Sequence, residues 1–462
     1  MAPSQPNVLI VIADQWRGDA LSKLGHVAAR TPVFDRFADQ GLMASRAYAQ
    51  ASPCGPARAS LLTGLMPERH GVWRNGQEPS GNPAPLFGAF ADAGYDVAYL
   101  GYTSFTGKVP WPWRDLPGAE GDGKQAYRAH MQTHPELGGV AWSQLLTARD
   151  AGEGHILSRP AKLRAEESEL AFLAERTGKA FAEMREPFLM HVGLPRPHDP
   201  FVARRPFAET VTPASLPPRR AFGAATAHLA GHPLIDAYRA YWPQHYFSGY
   251  IDPADPDRLL QDLDDTEIDL LRAAYFALIA EVDAAVGRIL DDLEGAGLAE
   301  RTIVVLTSDH GEYAGDYGLF AKHGFMPEAF HVPLAIRDPG MGADAERGRV
   351  VVAPVGAIDI IPTLAARAGV ALPPGIDGGP VSLHGSAQPV RSAMDFSHLF
   401  EERPDLEHGD TPRRASLAYT DAGYVVGFDR GTTVSVDCDP LGNPLRTRSP
   451  TPTELELLHQ RP

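Results

Sequence analysis

The run Asn7-Val-Leu-Ile-Val-Ile-Ala13 is apolar without a break and rich in β-branched residues. A strand with no polar alternation has no face to give to solvent, so it reads as a parallel strand covered by helices on both sides. Asp14 and Gln15 follow at its carboxyl end, the edge of an open α/β sheet where ligands bind. The pattern recurs in Phe188-Leu-Met-His-Val-Gly193, which runs on to Arg196-Pro-His198-Asp-Pro200, and in Thr302-Ile-Val-Val-Leu-Thr307, followed by Ser308-Asp309-His310-Gly311. Helices alternate with these strands. Thr31-Pro32 with Val33, Phe34, Phe37 and Gly41 predicts a short helix with Thr31 as N-cap and proline at its first position. Pro85 to Ala93 followed by Asp96 to Gly101 repeats helix then strand, and Leu170, Leu173, Thr177, Phe181 and Met184 mark an amphipathic helix. Leu271, Tyr275, Leu278, Val282, Val286, Ile289 and Leu293 keep one face of a long helix that Gly295 and Gly297 end. Val332 to Ile336 and Val350 to Val352 read as strands, and Ile360 to Leu364 opens a helix. The fold class is α/β, with a large mixed, mostly parallel sheet flanked by helices.

In a chain of 462 residues this predicts a catalytic α/β unit over 1–377, with 105–160 and 203–257 as insertions that serve as lid or subunit contact. Strands near Ser416 to Tyr419, Tyr424 to Phe428 and Thr432 to Val436 alternate around turns, which predicts a small antiparallel sheet in a C-terminal subdomain over 378–462. A net charge of -16 without a basic run excludes a nucleic-acid partner. Two cysteines make no disulfide framework, so a reducing, cytoplasmic setting is expected. Val8 to Ala13 is too short for a membrane span and has no basic segment before it, so no membrane association is expected. A homo-oligomer, dimer or tetramer, is expected.

The chemistry centres on Ser52-Pro53-Cys54-Gly55-Pro56-Ala57-Arg58, which continues as Ala59-Ser60-Leu61-Leu62-Thr63-Gly64. Two prolines limit the backbone around Cys54, which falls at a strand-to-helix turn. A helix start favours anions and depresses thiol pKa values, and Arg58, one turn on, can point back at the same place. Asp14 and Gln15 with Asp309 and His310 offer mostly oxygen donors and one imidazole. Such a set selects one hard divalent cation, manganese or calcium.

Cys-x-Pro-x-Arg followed by Leu-Thr-Gly resembles the sulfatase signature of the alkaline-phosphatase superfamily. That resemblance implies conversion of Cys54 to formylglycine by a formylglycine-generating enzyme, with the hydrated aldehyde as nucleophile beside the metal ligands Asp14, Gln15, Cys54, Asp309 and His310. Two departures from the common sulfatase pattern, Asp14-Gln15 and Gly101-Tyr102-Thr103-Ser104, look like the phosphonate monoester hydrolase branch. Asn75 in Trp-Arg-Asn-Gly, His198 in Pro-His-Asp-Pro and Lys322 in Ala-Lys-His-Gly match the same branch. The implied roles are Lys322, Asn75, Tyr102 and Ser104 on the transferred group, and His198 as acid for the leaving group, in a range where histidine titrates. The resemblance implies hydrolysis of small monoanionic sulfate esters, with promiscuity toward phosphonate monoesters and phosphodiesters. Phosphonate monoester hydrolysis as the main activity is the alternative, and a non-catalytic anion-binding protein stays open. A thiolate phosphatase is excluded by spacing, since it needs Cys-x5-Arg.

Overall fold

A computed structural model describes residues 5–81, 84–103, 123–133, 163–223, 226–246, 258–340, 347–382, 385–386, 389–431 and 433–459. The chain runs through β1 (Asn7–Asp14), α1 (Pro32–Asp39), β2 (Leu42–Tyr48), α2 (Cys54–Thr63), α3 (Pro67–His70), α4 (Pro85–Asp92) and β3 (Asp96–Gly101). It continues with α5 (Gly123–Gln132), α6 (Glu169–Phe181), β4 (Phe188–Pro197), α7 (Pro233–Tyr246), α8 (Asp265–Gly295), β5 (Thr302–Ser308) and β6 (His331–Arg337). After β7 (Arg349–Val351), β8 (Val355–Gly356) and α9 (Ile360–Ala368) come β9 (Val390–Asp395), α10 (Ser397–Glu402), β10 (Arg414–Thr420), β11 (Gly423–Phe428), β12 (Val434–Cys438), β13 (Pro444–Arg448) and α11 (Pro452–His459).

The large sheet has the order β3-β4-β1-β5-β6-β2-β7, with β8 beside β2. The pairs from β3 through β5 are parallel, β6 runs antiparallel to both its neighbours, and β7 and β8 are parallel to β2. This is the mixed, mostly parallel sheet expected. β1 lies in its middle, and the unbroken apolar run has a direct explanation. Leu9, Val11 and Ala13 enter the core formed with α1, α6 and α8, whereas Val8, Ile10 and Ile12 enter the opposite core with α2, α4 and α9. Each large apolar side chain so buried contributes roughly 1.5–3 kcal/mol.

The smaller sheet has five antiparallel strands in the order β13-β12-β11-β10-β9. Its middle three are the strands anticipated; the flanking β9 and β13 are short, carry arginines and lack a clear period. The sheet meets the larger unit through Tyr419, whose ring stacks on Tyr48 with centroids 3.6 Å apart. Within 203–257, set apart in the sequence as an insertion, α7 forms despite Pro243 inside it. Of 105–160, only α5 and Thr133 lie among the described residues. No helix among the described residues is long and apolar enough to cross a membrane, and Cys54 and Cys438 form no disulfide.

α8 begins earlier than its apolar stripe, because Asp264 accepts from Glu267 N at 2.9 Å while Glu267 accepts from Asp264 N at 3.0 Å. This reciprocal cap is legible as Asp-x-x-Glu. α1 departs from expectation in its cap. Thr31 makes no capping bond; the buried Asp283 of α8 instead accepts from Val33 N at 2.9 Å and Phe34 N at 2.8 Å. Burial pushes the Asp283 carboxyl from its ordinary 3.8 up to about 7, against the pull of the two amides.

The native state thus holds this proton better than the unfolded chain. The stabilisation is full below about pH 4 and is lost as pH rises through about 7. Asp283→Asn removes that slope and one of the two amide bonds, the latter costing about 1 kcal/mol at all pH values. The wild type's advantage in unfolding temperature is therefore expected to shrink between pH 4 and pH 7; a difference that stays constant would refute titration of Asp283 in this range.

Candidate active site

The register of β1 on β5 aligns Ala13 with Ser308, and Asp309 N donates to Ala13 O at 3.2 Å. That alignment puts Asp14 and Asp309 side by side, both buried. Gln15 follows with φ of 75°, a left-handed backbone that is unusual for a residue with a side chain. Tyr275 of α8 holds it there, donating its hydroxyl to Gln15 O at 2.8 Å and accepting from Arg17 N at 3.1 Å. Gln15 N donates to Asp309 Oδ1 at 3.1 Å.

Cys54 is the first residue of α2, set by the extended Pro53 before it. Its Sγ lies 3.2 Å from His310 Nε2, 2.9 Å from Lys322 Nζ and 3.5 Å from Asp14 Oδ1. One donor atom each from Asp14, Cys54, Asp309 and His310 fall within 4.8 Å of one another. His310 Nδ1 is 2.9 Å from Gly311 O. That bond needs the proton on Nδ1 and points Nε2 at the cluster, where the ring is charged while Nε2 is protonated, and able to ligate a metal once that proton is given up. Gly311 is required by packing, since a Cβ there would meet Glu328 O at 2.0 Å. The donor set fits a divalent cation.

Positive charge converges on the same point. Arg58 is buried, with Nε 2.9 Å from Asp309 Oδ2 and Nη2 3.5 Å from Asp14 Oδ2, so it neutralises the carboxylates. Its Nη1 also donates to Tyr102 O at 2.9 Å, and the guanidinium sits 5.2 Å above the Tyr102 ring. The Tyr99 hydroxyl donates to the same carbonyl. Gly101, with φ of 98°, lets β3 pass against β4 before Tyr102, where a Cβ would lie 2.1 Å from Gly193 O. Lys322 reaches Gln15 Oε1 at 3.0 Å as well as Cys54. Asn75 Oδ1 accepts from Gly55 N at 2.8 Å, which docks the start of α2 and leaves Nδ2 as the donor end of the amide. β4 carries the chain out to His198, whose Nδ1 lies 2.8 Å from Asp199 Oδ1 and 3.0 Å from Asp199 O.

The protonation states follow from this packing. Burial alone would push the Asp14 carboxyl up, but His198, Lys322, Arg58 and His310 hold it well below the usual range. Burial and Asp14 push the Cys54 thiol up, yet Lys322, His310 and His198 bring it down to about 6. Burial disfavours charge on His198, and Asp199 reverses that, raising it to about 10. This is above the ordinary histidine range expected from the sequence. Burial pushes the Glu312 carboxyl up to about 7, against the Ala314 and Ala321 amides.

The structure therefore brings Asp14, Gln15, Cys54, Arg58, Asn75, Tyr102, His198, Asp309, His310 and Lys322 together; Ser104 lies outside the described residues. Four supporting residues had no assigned part in the sequence reading. Asp199 adjoins His198 and was visible as an acid beside a histidine. Tyr99, Tyr275 and Glu312 had no signal for a place in the site, since their partners there are set by tertiary packing.

The sequence model of the Sulfatase family matches residues 6–370. Over 436 residues the chain is 30% identical to the "Multifunctional alkaline phosphatase superfamily protein PehA" of Trinickia caryophylli, covering 87% of this chain and 82% of that one. It is 27% identical to the choline-sulfatase of Rhizobium meliloti (strain 1021), with 80% and 69% covered. Among solved structures, the phosphonate monoester hydrolase of Agrobacterium radiobacter superposes with a TM-score of 0.79 at 30% identity, covering 95% of this chain and 90% of that one. The phosphonate monoester hydrolase of Silicibacter pomeroyi gives 0.79 at 27% identity, with 98% and 93% covered. The chain belongs to the sulfatase family of the alkaline phosphatase superfamily. It is an ester hydrolase of that family, whose members generally use a metal and a formylglycine.

Arg58→Ala would leave two buried carboxylates facing each other. Breaking a buried ion pair on one side costs about 3–5 kcal/mol, and added manganese should recover part of it by supplying positive charge. Thermal unfolding with and without chelator measures both; an equal loss under the two conditions would mean that Arg58 contributes packing alone.

Proposed function

We propose that this chain is a formylglycine-dependent hydrolase of monoanionic tetrahedral esters, taking aryl sulfates and phosphonate monoesters, with phosphodiesters as a further class. The observation that carries the reading is Cys54 Sγ at a helix start, within 3.5 Å of Asp14, His310 and Lys322. Sγ stands in for a hydroxyl oxygen of hydrated formylglycine on the same Cβ. Asp14, Gln15, Asp309 and His310 would hold one divalent cation, manganese or calcium, which supplies Lewis-acid activation of that hydroxyl. Residue 54, matured by a formylglycine-generating enzyme, supplies the nucleophile and, through its second hydroxyl, a route to product release by C–O cleavage.

The chain's own residues do the rest. Lys322 neutralises charge on the transferred group, with Asn75 Nδ2, Tyr102 and Ser104 as further donors. His198, held charged by Asp199, gives its proton to the leaving oxygen as the S–O or P–O bond breaks. Arg58 helps to keep Asp14 ionised and pairs directly with Asp309. Two substitutions of lysine and histidine by Tyr102 and Ser104, relative to the common sulfatase pattern, make the pocket less cationic and suit a monoanion. A second reading, phosphonate monoester hydrolysis as the main activity, is supported by the two solved hydrolases of that name at a TM-score of 0.79.

Parallel kinetics on aryl sulfate, aryl phosphonate monoester and phosphodiester substrates rank the activities, alongside mass spectrometry of the peptide holding Cys54. The expected result is formylglycine in active protein and near-complete loss of turnover in Cys54→Ala. Full activity with an unmodified thiol would sink the proposal.

General acid help typically contributes about a hundred- to ten-thousand-fold, most for leaving groups that depart poorly as anions. His198→Ala should accordingly slow hydrolysis of phenyl esters far more than of nitrophenyl esters, whereas Lys322→Ala should slow both alike. The same leaving-group dependence in both variants would remove His198 from the acid role.

A further inference from the structure

Glu312 lies two positions beyond His310, is fully buried and is not among the clustered donors. Its Oε2 accepts from Gln15 Nε2 at 2.6 Å. Its Oε1 accepts from two backbone amides, Ala314 N at 3.0 Å and Ala321 N at 2.7 Å. The first contact bears on an ambiguity that a carboxylate ligand does not have. An amide presents oxygen at one end and NH2 at the other, and only the oxygen end can ligate a cation or accept from Lys322. With Nε2 engaged by Glu312, Oε1 is the end that meets Lys322 Nζ at 3.0 Å. The other two contacts tie the segment from Ala314 to Ala321 into a closed loop whose next residue is Lys322.

We infer that Glu312 is a positioning residue: it selects the oxygen-inward orientation of the Gln15 amide, and so makes glutamine usable as a ligand where a carboxylate would need no such partner. This rests on the metal site proposed above. A protein that keeps Gln15 at that strand end depends on an acceptor behind it. Glu312→Gln is isosteric and still offers an acceptor to Ala314 N and Ala321 N, so the loop survives. Its amide donor would face Gln15 Nε2, however, and relief comes by turning the Gln15 amide so that NH2 points at Lys322 and the cation.

The experiment measures manganese affinity at pH 8 by competition titration with free metal read by electron paramagnetic resonance. It uses full-length protein with residue 54 in the same state throughout, and metal-free unfolding temperatures are recorded beside it. Loss of an outer partner of a metal ligand typically costs about ten- to a hundred-fold in metal affinity, and that loss is expected for Glu312→Gln, with the unfolding temperature little changed. Gln15→Glu alone should also lose affinity, because its carboxylate would oppose that of Glu312. The double variant Gln15→Glu with Glu312→Gln restores one donor facing one acceptor and turns a carboxylate oxygen inward, so it should bind manganese at least ten-fold better than either single variant. A merely structural Glu312 cannot produce that recovery. Equal affinity in wild type and Glu312→Gln, or a double variant no better than the singles, overturns the inference while leaving the metal site standing. Absence of manganese binding in the wild type overturns the metal site and the inference together.

Discussion

Two carboxylates buried side by side are the condition on which the rest of the site depends. Register between β1 and β5 leaves Asp14 and Asp309 no room to separate, with donor atoms inside 4.8 Å. At that distance two unit charges repel by roughly 3–4 kcal/mol at an effective dielectric of about 20, and burial adds the loss of hydration. Such a pair persists only where positive charge is delivered to it. Arg58 comes from α2, Lys322 from the segment after β5, His198 from beyond β4 and His310 from beside Asp309 itself. The helices and strands that carry these groups have to converge, and α2 has to dock by its first residue. This is why Asn75 spends its carbonyl on Gly55 N.

The ends of β1, β4 and β5 were legible in the sequence because a strand buried on both faces has no alternation to obscure it, and the chemistry sits within a few residues of its end. Cys54 was legible because its flanking prolines leave so few backbone conformations open. The aim of Arg58 was not. A guanidinium one turn along a helix can reach many places, and the register of β1 on β5, which no local pattern encodes, decides that it meets Asp309 and Asp14. The same reason hid Asp283, whose partners Val33 and Phe34 lie about 250 positions away, so that Thr31 looked like the cap. α7 was hidden by Pro243, and β9 and β13 by polar positions without a period, since edge strands are specified mainly by the neighbour they pair with.

Strain tells where the fold has been bent to the needs of the site. Among the described residues, the non-glycine residues with left-handed backbone are Gln15, Ala314, Tyr317 and Ala321, at φ of 75°, 50°, 58° and 64°. One follows Asp14 and the others lie between His310 and Lys322. Each such residue costs of order 1–3 kcal/mol, so chance does not account for their clustering. Their backbone groups are gripped individually. Tyr275 donates to Gln15 O, Arg272 to Ala314 O at 3.0 Å and Arg239 to Tyr317 O, while Tyr313 N donates to Ala321 O at 3.0 Å.

Those grips explain the long helix α8 as more than a cover for the sheet. Tyr275 and Arg272 are neighbours on its buried face, and together they hold the left-handed residue after Asp14 and the first left-handed residue after His310. A relaxed backbone at either place would swing the following side chain away: Gln15 itself in one case, the path toward Lys322 in the other. The apolar stripe that buries α8 against the sheet thus fixes the distance between the two segments that carry the ligands. Its hydrophobic contacts supply the stability that the strained turns draw upon. The rigidity of the site is therefore a property of the packing of α8, reached through Arg272 and Tyr275 on its buried face.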